Sequence, residues 1–168
     1  MGNTKNLSDN EGIEKLKDLV DDIKTCLFCT NITDIPFKAR PMATLDVDDE
    51  GNLWFFSNKA SDKNDEMKNN DAVQLVYAKN SSNEFLVVNG KAELVNSKEK
   101  IDELWTSMAK AWFPEGKDDP NISVIKIIPK DAHYWDTING KVITLFKIAT
   151  AVITGNPSDV GVEGKISV

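Results

Sequence analysis

Two short polar turns constrain this chain more than any other feature. DDEGN, residues 48–52, separates the strand-like runs KARPMATLDV (38–47) and LWFFS (53–57). NSSN, residues 80–83, separates AVQLVYAK (72–79) from EFLVVNGKAELV (84–95). Turn residues between runs rich in β-branched and aromatic side chains predict antiparallel hairpins, and Gly90 inside the second run predicts a bulge or bend. Further strands are predicted at 26–32 (CLFCTNI), 122–128 (ISVIKII) and 132–138 (AHYWDTI), the last two separated by Pro129. With six or more short strands and no parallel βαβ rhythm, the chain reads as mainly β with peripheral helices. A closed or nearly closed antiparallel barrel suits it, because closure removes sticky edges.

Four helices fit before, between and after these strands. Ile13, Leu16, Val20 and Ile23 recur at helical spacing behind Ser8 or Asp9 as N-cap. A short helix over 61–69 starts at Ser61, with Glu66 and Lys68 in solvent. A third, over 97–111, has Asn96 as N-cap and buries Ile101, Leu104, Trp105 and Met108. The run 142–154 is expected to be helical, ended by Gly155 and Pro157.

At 168 residues, one domain is expected, and 40% hydrophobic with 28% charged residues is an ordinary globular composition. The net charge of −7 and pI of about 4.8 argue against nucleic acid and anionic membrane as partners, because both select a cationic surface. The polar start MGNTKNLSDN lacks an apolar leader, and Asn6 stands where a myristoylation signal wants Ser or Thr. No apolar run is long enough for a membrane span, and a cytoplasmic location is expected. Cys26 and Cys29 form a C-x-x-C on a strand, where positions i and i+3 face opposite ways at roughly 10 Å. They are read as two unpaired thiols, with no metal site.

Any anionic ligand of so acidic a chain needs a local positive site. Of the 20 Lys and Arg residues a single one is arginine, Arg40. If 38–47 pairs with 53–57, Arg40 comes alongside residues 57–63. There Ser61 supplies a hydroxyl, Lys63 an ammonium, and the helix start free N–H groups and a partial positive charge. Such a set suits a phosphate. On spacing alone a plainer reading stays open, with Ser61 as a cap, Lys63 solvated and Arg40 paired with one of the many acids.

The stretches KARPMATLDVDDEGNLWFFSNKASDKNDEMKNNDAVQLVY, VNGKAELV, KIDELWTSMAKAWFPEGKDDP and HYWDTINGK, in this order, resemble the general stress protein 26 family. That family is a branch of the pyridoxamine 5′-phosphate oxidase-like flavin-binding proteins. The resemblance covers roughly residues 10 to 155. It implies a six-stranded antiparallel split β-barrel that forms a homodimer, with FMN at the subunit interface. Arg40 and Lys63, helped by Ser61, would grip the FMN phosphate. Pro41, Met42, Ala43, Thr44 and Leu45 would run beside the isoalloxazine. Phe56 and Ser57 would line the ribityl side, and Trp135 would reach the flavin from the partner subunit.

The pattern departs from the family in two places. Where related pyridoxamine phosphate oxidases carry Arg-x-His to bind substrate, this chain has NGKVITL, with Lys141 and no histidine. Asp62 stands where an additional arginine often precedes the lysine. The first departure argues against vitamin B6 synthesis. His133, the sole histidine, is read as structural, Trp105 as core, and Trp112 as a loop residue able to cover a ligand or a dimer contact. The acids 46 to 50 lack the spacing of a calcium loop. The expected function is a flavin-dependent oxidoreductase acting on a small molecule, or a non-catalytic flavin-binding stress or sensor protein. A deazaflavin is a further option, and haem is disfavoured by the single histidine.

Overall fold

A computed structural model describes residues 3–137 and 161–167 of the chain, so the expected helix over 142–154 lies outside the described residues. In chain order the elements are β1 (Asn3–Thr4), β2 (Leu7–Ser8), α1 (Asp9–Ile23), β3 (Thr25–Thr30), β4 (Lys38–Ala43), β5 (Asp46–Val47), β6 (Leu53–Asn58), α2 (Asp62–Asn69), β7 (Ala72–Lys79), β8 (Glu84–Val95), α3 (Lys98–Leu104), β9 (Ile122–Thr137) and β10 (Gly161–Ser167). Six strands, β3, β4, β6, β7, β8 and β9, build the barrel wall, and β10 extends the sheet beyond β9.

The wall runs β9-β8-β7-β3-β4 with antiparallel neighbours, and β6 joins the other side of β9. Alternation along these strands sends one face inward. Cys26 and Phe28, Leu53 and Phe55, Leu75 and Tyr77, Leu86 and Val88, and Ile125 and Ile127 all fall in one buried cluster. Helix α1 adds Leu16, Leu19 and Val20 to it. Phe28 and Phe55 meet edge to face at 5.3 Å inside. A second, smaller cluster lies on the outer side of β6, where Trp54, Leu104 and Val124 pack with Leu45, Phe56, Val95 and Ile101.

The predicted strand 38–47 is broken, and the break shapes the site. Residues Lys38–Ala43 pair with β3, Arg40 opposite Phe28, and not with β6. At Thr44 and Leu45 the chain changes partner: Thr44 N–H donates to Lys24 O, and Leu45 N–H to Trp54 O. Only Asp46–Val47 then pairs with β6. Among the described residues β4 and β6 therefore diverge and leave the barrel split at that end. Helix α2 sits over the split.

Three further expectations are corrected. The third helix ends at Leu104, followed by a 3-10 turn at Ser107–Ala111, and its cap is Ser97, not Asn96: Ser97 Oγ accepts from Lys100 N–H at 3.1 Å. Met108, expected to be buried, is 74% exposed beyond that helix end, and Trp105 is half-buried outside the helix. Pro129 does not end a strand. β9 runs through it because the β8–β9 register shifts at Asn89 and Gly90, which absorbs the missing N–H. The close approach there needs glycine, as a Cβ on Gly90 would lie 2.5 Å from Ile128 O. Both cysteines are free, as expected, and both are buried.

Candidate functional site

At the split end the barrel interior turns polar. Thr30 follows Phe28 on the inward face of β3, Ser57 follows Phe55 on β6, and Ser123 precedes Ile125 on β9; all three are buried. A buried hydroxyl is tolerated only when it is hydrogen-bonded, and α2 supplies the partners. Asn64 Oδ1 accepts from Ser57 Oγ at 2.8 Å, and Asn64 Nδ2 donates to Ser123 Oγ at 2.9 Å. Glu66 Oε2 accepts from Thr30 Oγ1 at 2.5 Å.

The predicted cations gather around the same helix. Arg40, side chain 26% exposed, donates to Glu66 Oε2 at 2.8 Å and to Thr30 Oγ1 at 3.2 Å. Lys38 donates to Glu66 Oε1 at 2.8 Å. Lys63 Nζ donates to Ser61 Oγ at 3.2 Å, and Ser61 Oγ lies 3.1 Å from Ser57 Oγ. Ser61 is the N-cap residue by position, yet its hydroxyl turns to these side chains instead of capping an N–H. Burial lowers the Lys63 pKa and the Arg40 charge lowers it further, with Glu66 opposing. Arg40, Lys63, Ser61 and the start of α2 thus share one end of the barrel, brought there by β4 pairing with β3.

Glu66 is the residue sequence reasoning placed wrongly. Expected in solvent, it is 7% exposed. Burial pushes its carboxyl pKa up, but hydrogen bonds from Lys38, Thr30 and Arg40, with Arg40's charge, outweigh that and hold it at about 2. One signal was present: DKNDEMKN has a single apolar residue, Met67, so its inward face had to include polar groups beside it.

The remaining expected residues are spread out. Pro41 and Ala43 lie exposed on the outer face of β4, while Met42 packs against the main core. Thr44 is buried with its hydroxyl 2.7 Å from the Tyr77 hydroxyl, and Leu45 belongs to the outer cluster. Phe56 and Ser57 face opposite ways. Ser57 joins the polar end, and Phe56 packs at 6.0 Å from Trp105 and 6.2 Å from Phe113. Trp135 is 39% exposed on β9 and stacks on His133 at 5.9 Å. Because β8, β7 and β3 separate β9 from β4, the path along the sheet between Trp135 and the Arg40 strand is roughly 19 Å.

Outside this end of the barrel, a cavity of about 350 Å³ lies beside α3, lined by residues that include Trp105, Lys110 and Lys117. Among the described residues no group of three or more His, Cys, Asp or Glu is placed to hold a metal, and no helix is long and apolar enough to cross a membrane.

Comparison with known proteins places this architecture. The family described as "Pyridoxamine 5′-phosphate oxidase like" matches residues 11–159. Protein bli-3 of Neurospora crassa is 27% identical over 138 residues, which span 77% of this chain and 66% of that protein. General stress protein 26 of Bacillus subtilis is 35% identical over 78 residues, 45% of this chain and 55% of that one. The chain thus spans under two thirds of the length of each of these relatives. A crystal structure described as a general stress protein 26, from Jannaschia sp. CCS1, superposes with a TM-score of 0.79 at 23% identity, covering 95% of this chain and 99% of its own. Another, described as a general stress FMN/FAD binding protein from Xanthomonas citri, gives 0.63 at 21% identity, covering 74% and 87%.

Proposed function

The chain belongs to the pyridoxamine 5′-phosphate oxidase-like family, and from that premise we propose that it binds FMN and acts as a flavin-dependent oxidoreductase on a small molecule. The observation that carries this reading is the meeting of Arg40, Lys63 and Ser61 at the start of α2. Two cations held together against their own repulsion, beside a hydroxyl and a helix N-terminus, fit a terminal phosphate. A structural neighbour described as binding FMN or FAD supports the same cofactor class. When bound, the flavin supplies the hydride-transfer chemistry.

This chain's residues would bind and orient it. Arg40, Lys63 and Ser61 hold the phosphate. The exposed side of β4, from Pro41 towards Leu45, runs beside the ring system; Phe56 faces the ribityl side, while the buried Ser57 acts from behind by holding Ser61 and Asn64 in place. Trp135 covers the flavin from a second copy of the chain. That arrangement is supported by an apolar row across the outer face of the sheet. Pro41 pairs with Leu27, Leu27 with Val76, Val76 with Val87, and Val87 with His133. Leu27 in that row is 49% exposed, as suits a face covered by a partner.

The test is an absorption spectrum of the purified protein, with and without added FMN, followed by NADH or NADPH and then candidate oxidants. Bound flavin that is reduced and reoxidised with steady turnover supports the oxidoreductase. Bound flavin without turnover supports a binding or sensing role instead, and no flavin binding at all overturns both.

A further inference from the structure

Helix α2 is fixed mainly by polar contacts. Of its three buried residues only Met67 is apolar; Asn64 ties it to β6 and β9, and Glu66 ties it to β3 and β4. We propose that Glu66 is the positioning residue of the anion clamp, orienting the Arg40 guanidinium so that its remaining N–H groups meet a phosphate. The proposal rests on the phosphate reading above and adds to it the group that makes Arg40 competent.

Arg40 stands on β4, which has β3 on one side and, among the described residues, no strand on the other. A long side chain on such an edge samples many rotamers, and fixing it when a ligand arrives costs free energy. Here two of the guanidinium's contacts are already made, from Nη2 to Glu66 and from Nη1 to Thr30. A guanidinium has five N–H donors, so others stay available for a bidentate acceptor. Glu66 is itself held on both oxygens, by Thr30 and Arg40 on one and Lys38 on the other. The carboxylate is therefore a fixed point against which the arginine is aligned. Thr30 shares a hydrogen bond with both groups and closes the triangle.

Arg40 is the only arginine in the sequence, so its Nε–Hε group gives one NMR signal that reports on this contact alone. The experiment follows that signal, with inorganic phosphate and FMN as titrants, in the native chain, in Glu66→Gln and in Glu66→Asp; riboflavin, which lacks the phosphate, is the control. In the native chain the signal is expected to be ordered and to shift with phosphate. Glu66→Gln is expected to lose that order and to bind phosphate and FMN about tenfold more weakly, with riboflavin affinity unchanged. Glu66→Asp, which keeps the carboxylate, is expected to recover part of the loss. An Arg40 signal and phosphate affinity unaltered by Glu66→Gln, or a tighter phosphate affinity, would overturn the proposal. Should the native chain fail to bind FMN while phosphate still shifts the Arg40 signal in a Glu66-dependent way, the flavin reading falls and the positioning role stands. If Glu66→Gln does not fold, Glu66→Asp carries the test by itself: a carboxylate one methylene shorter is expected to loosen the Arg40 signal and weaken phosphate binding, and an Arg40 signal and phosphate affinity unaltered in it would overturn the proposal.

Discussion

The Arg40 guanidinium and the Glu66 carboxylate lie 2.8 Å apart, joining an edge strand to the helix that covers the split in the barrel. Neither belongs to the apolar core, yet together with Thr30 they fix where the cations of the candidate site stand. Breaking a buried, hydrogen-bonded pair by removing one partner is costly, because the other is left desolvated. Arg40→Ala should therefore lower stability as well as weaken FMN binding, by roughly 1.5–3 kcal/mol for the binding term. Affinity measured well below the unfolding transition separates the two effects.

The same contact predicts an acid-labile term. Glu66 has its folded pKa pulled down from an ordinary 4.5 to about 2. Its contribution is fully present above about pH 4.5 and is lost as pH falls from there through 2, both states being fully protonated only below that. The loss is at most about 3 kcal/mol. Urea unfolding at pH 7 and pH 3 should show a smaller pH difference for Glu66→Gln than for the native chain. Equal differences would mean that other carboxylates set the acid response.

Asn64→Ala removes the only α2 side chain bonded to both Ser57 and Ser123, leaving two buried hydroxyls short of a partner. A loss of about 1–3 kcal/mol is expected from urea midpoints. A change inside about 0.5 kcal/mol, the range of neutral surface substitutions, would mean that α2 is anchored otherwise.

Lys63→Gln should move binding and stability in opposite directions. Its ammonium is half-buried and pushed down in pKa by that burial and by Arg40. Removing it relieves desolvation and repulsion, so stability should hold or rise slightly. FMN affinity should fall by about tenfold or more, and should become less sensitive to salt. Thermal unfolding and a flavin-fluorescence titration, run on the same preparation, check both signs.

Leu27→Asp places a charge at the middle of the apolar row Pro41–Leu27–Val76–Val87–His133. With a second copy on that face, sedimentation should show the native dimer reduced to monomer, and FMN binding should weaken with it. Trp135→Ala should weaken FMN binding without dissociating the dimer. A native chain that sediments as a monomer would remove the partner's Trp135 from the account.

Much of this architecture was legible in the sequence, and the misreadings share a cause. Hairpin turns and period-two alternation gave β7 and β8 to the residue. The split was not legible, because KARPMATLDV reads as one strand whether or not it changes partner at Thr44 and Leu45. Strand β10 was missed for a related reason: GVEGKIS has two glycines and little β propensity. It forms because β9 pairs with it on one side and β1 and β2 on the other. Gly164 is needed there, since a Cβ would fall 1.9 Å from Lys5 O. At the site, Arg40 stood out as the single arginine and Lys63 by its place beside Ser61, although the pairing expected to bring them together, 38–47 with 53–57, is not the one that forms. Glu66 and Asn64 did not stand out, because a polar residue on a short helix looks solvated until its tertiary partners are known.

The most direct test compares two flavins that differ only by a phosphate. Fluorescence titration of the native chain with FMN and with riboflavin measures what Arg40, Lys63, Ser61 and α2 together contribute. The account predicts FMN bound tighter by about a hundredfold or more, equivalent to roughly 2.7 kcal/mol of phosphate recognition. Equal affinity for the two would contradict it, since the cations gathered at α2 would then hold no flavin phosphate.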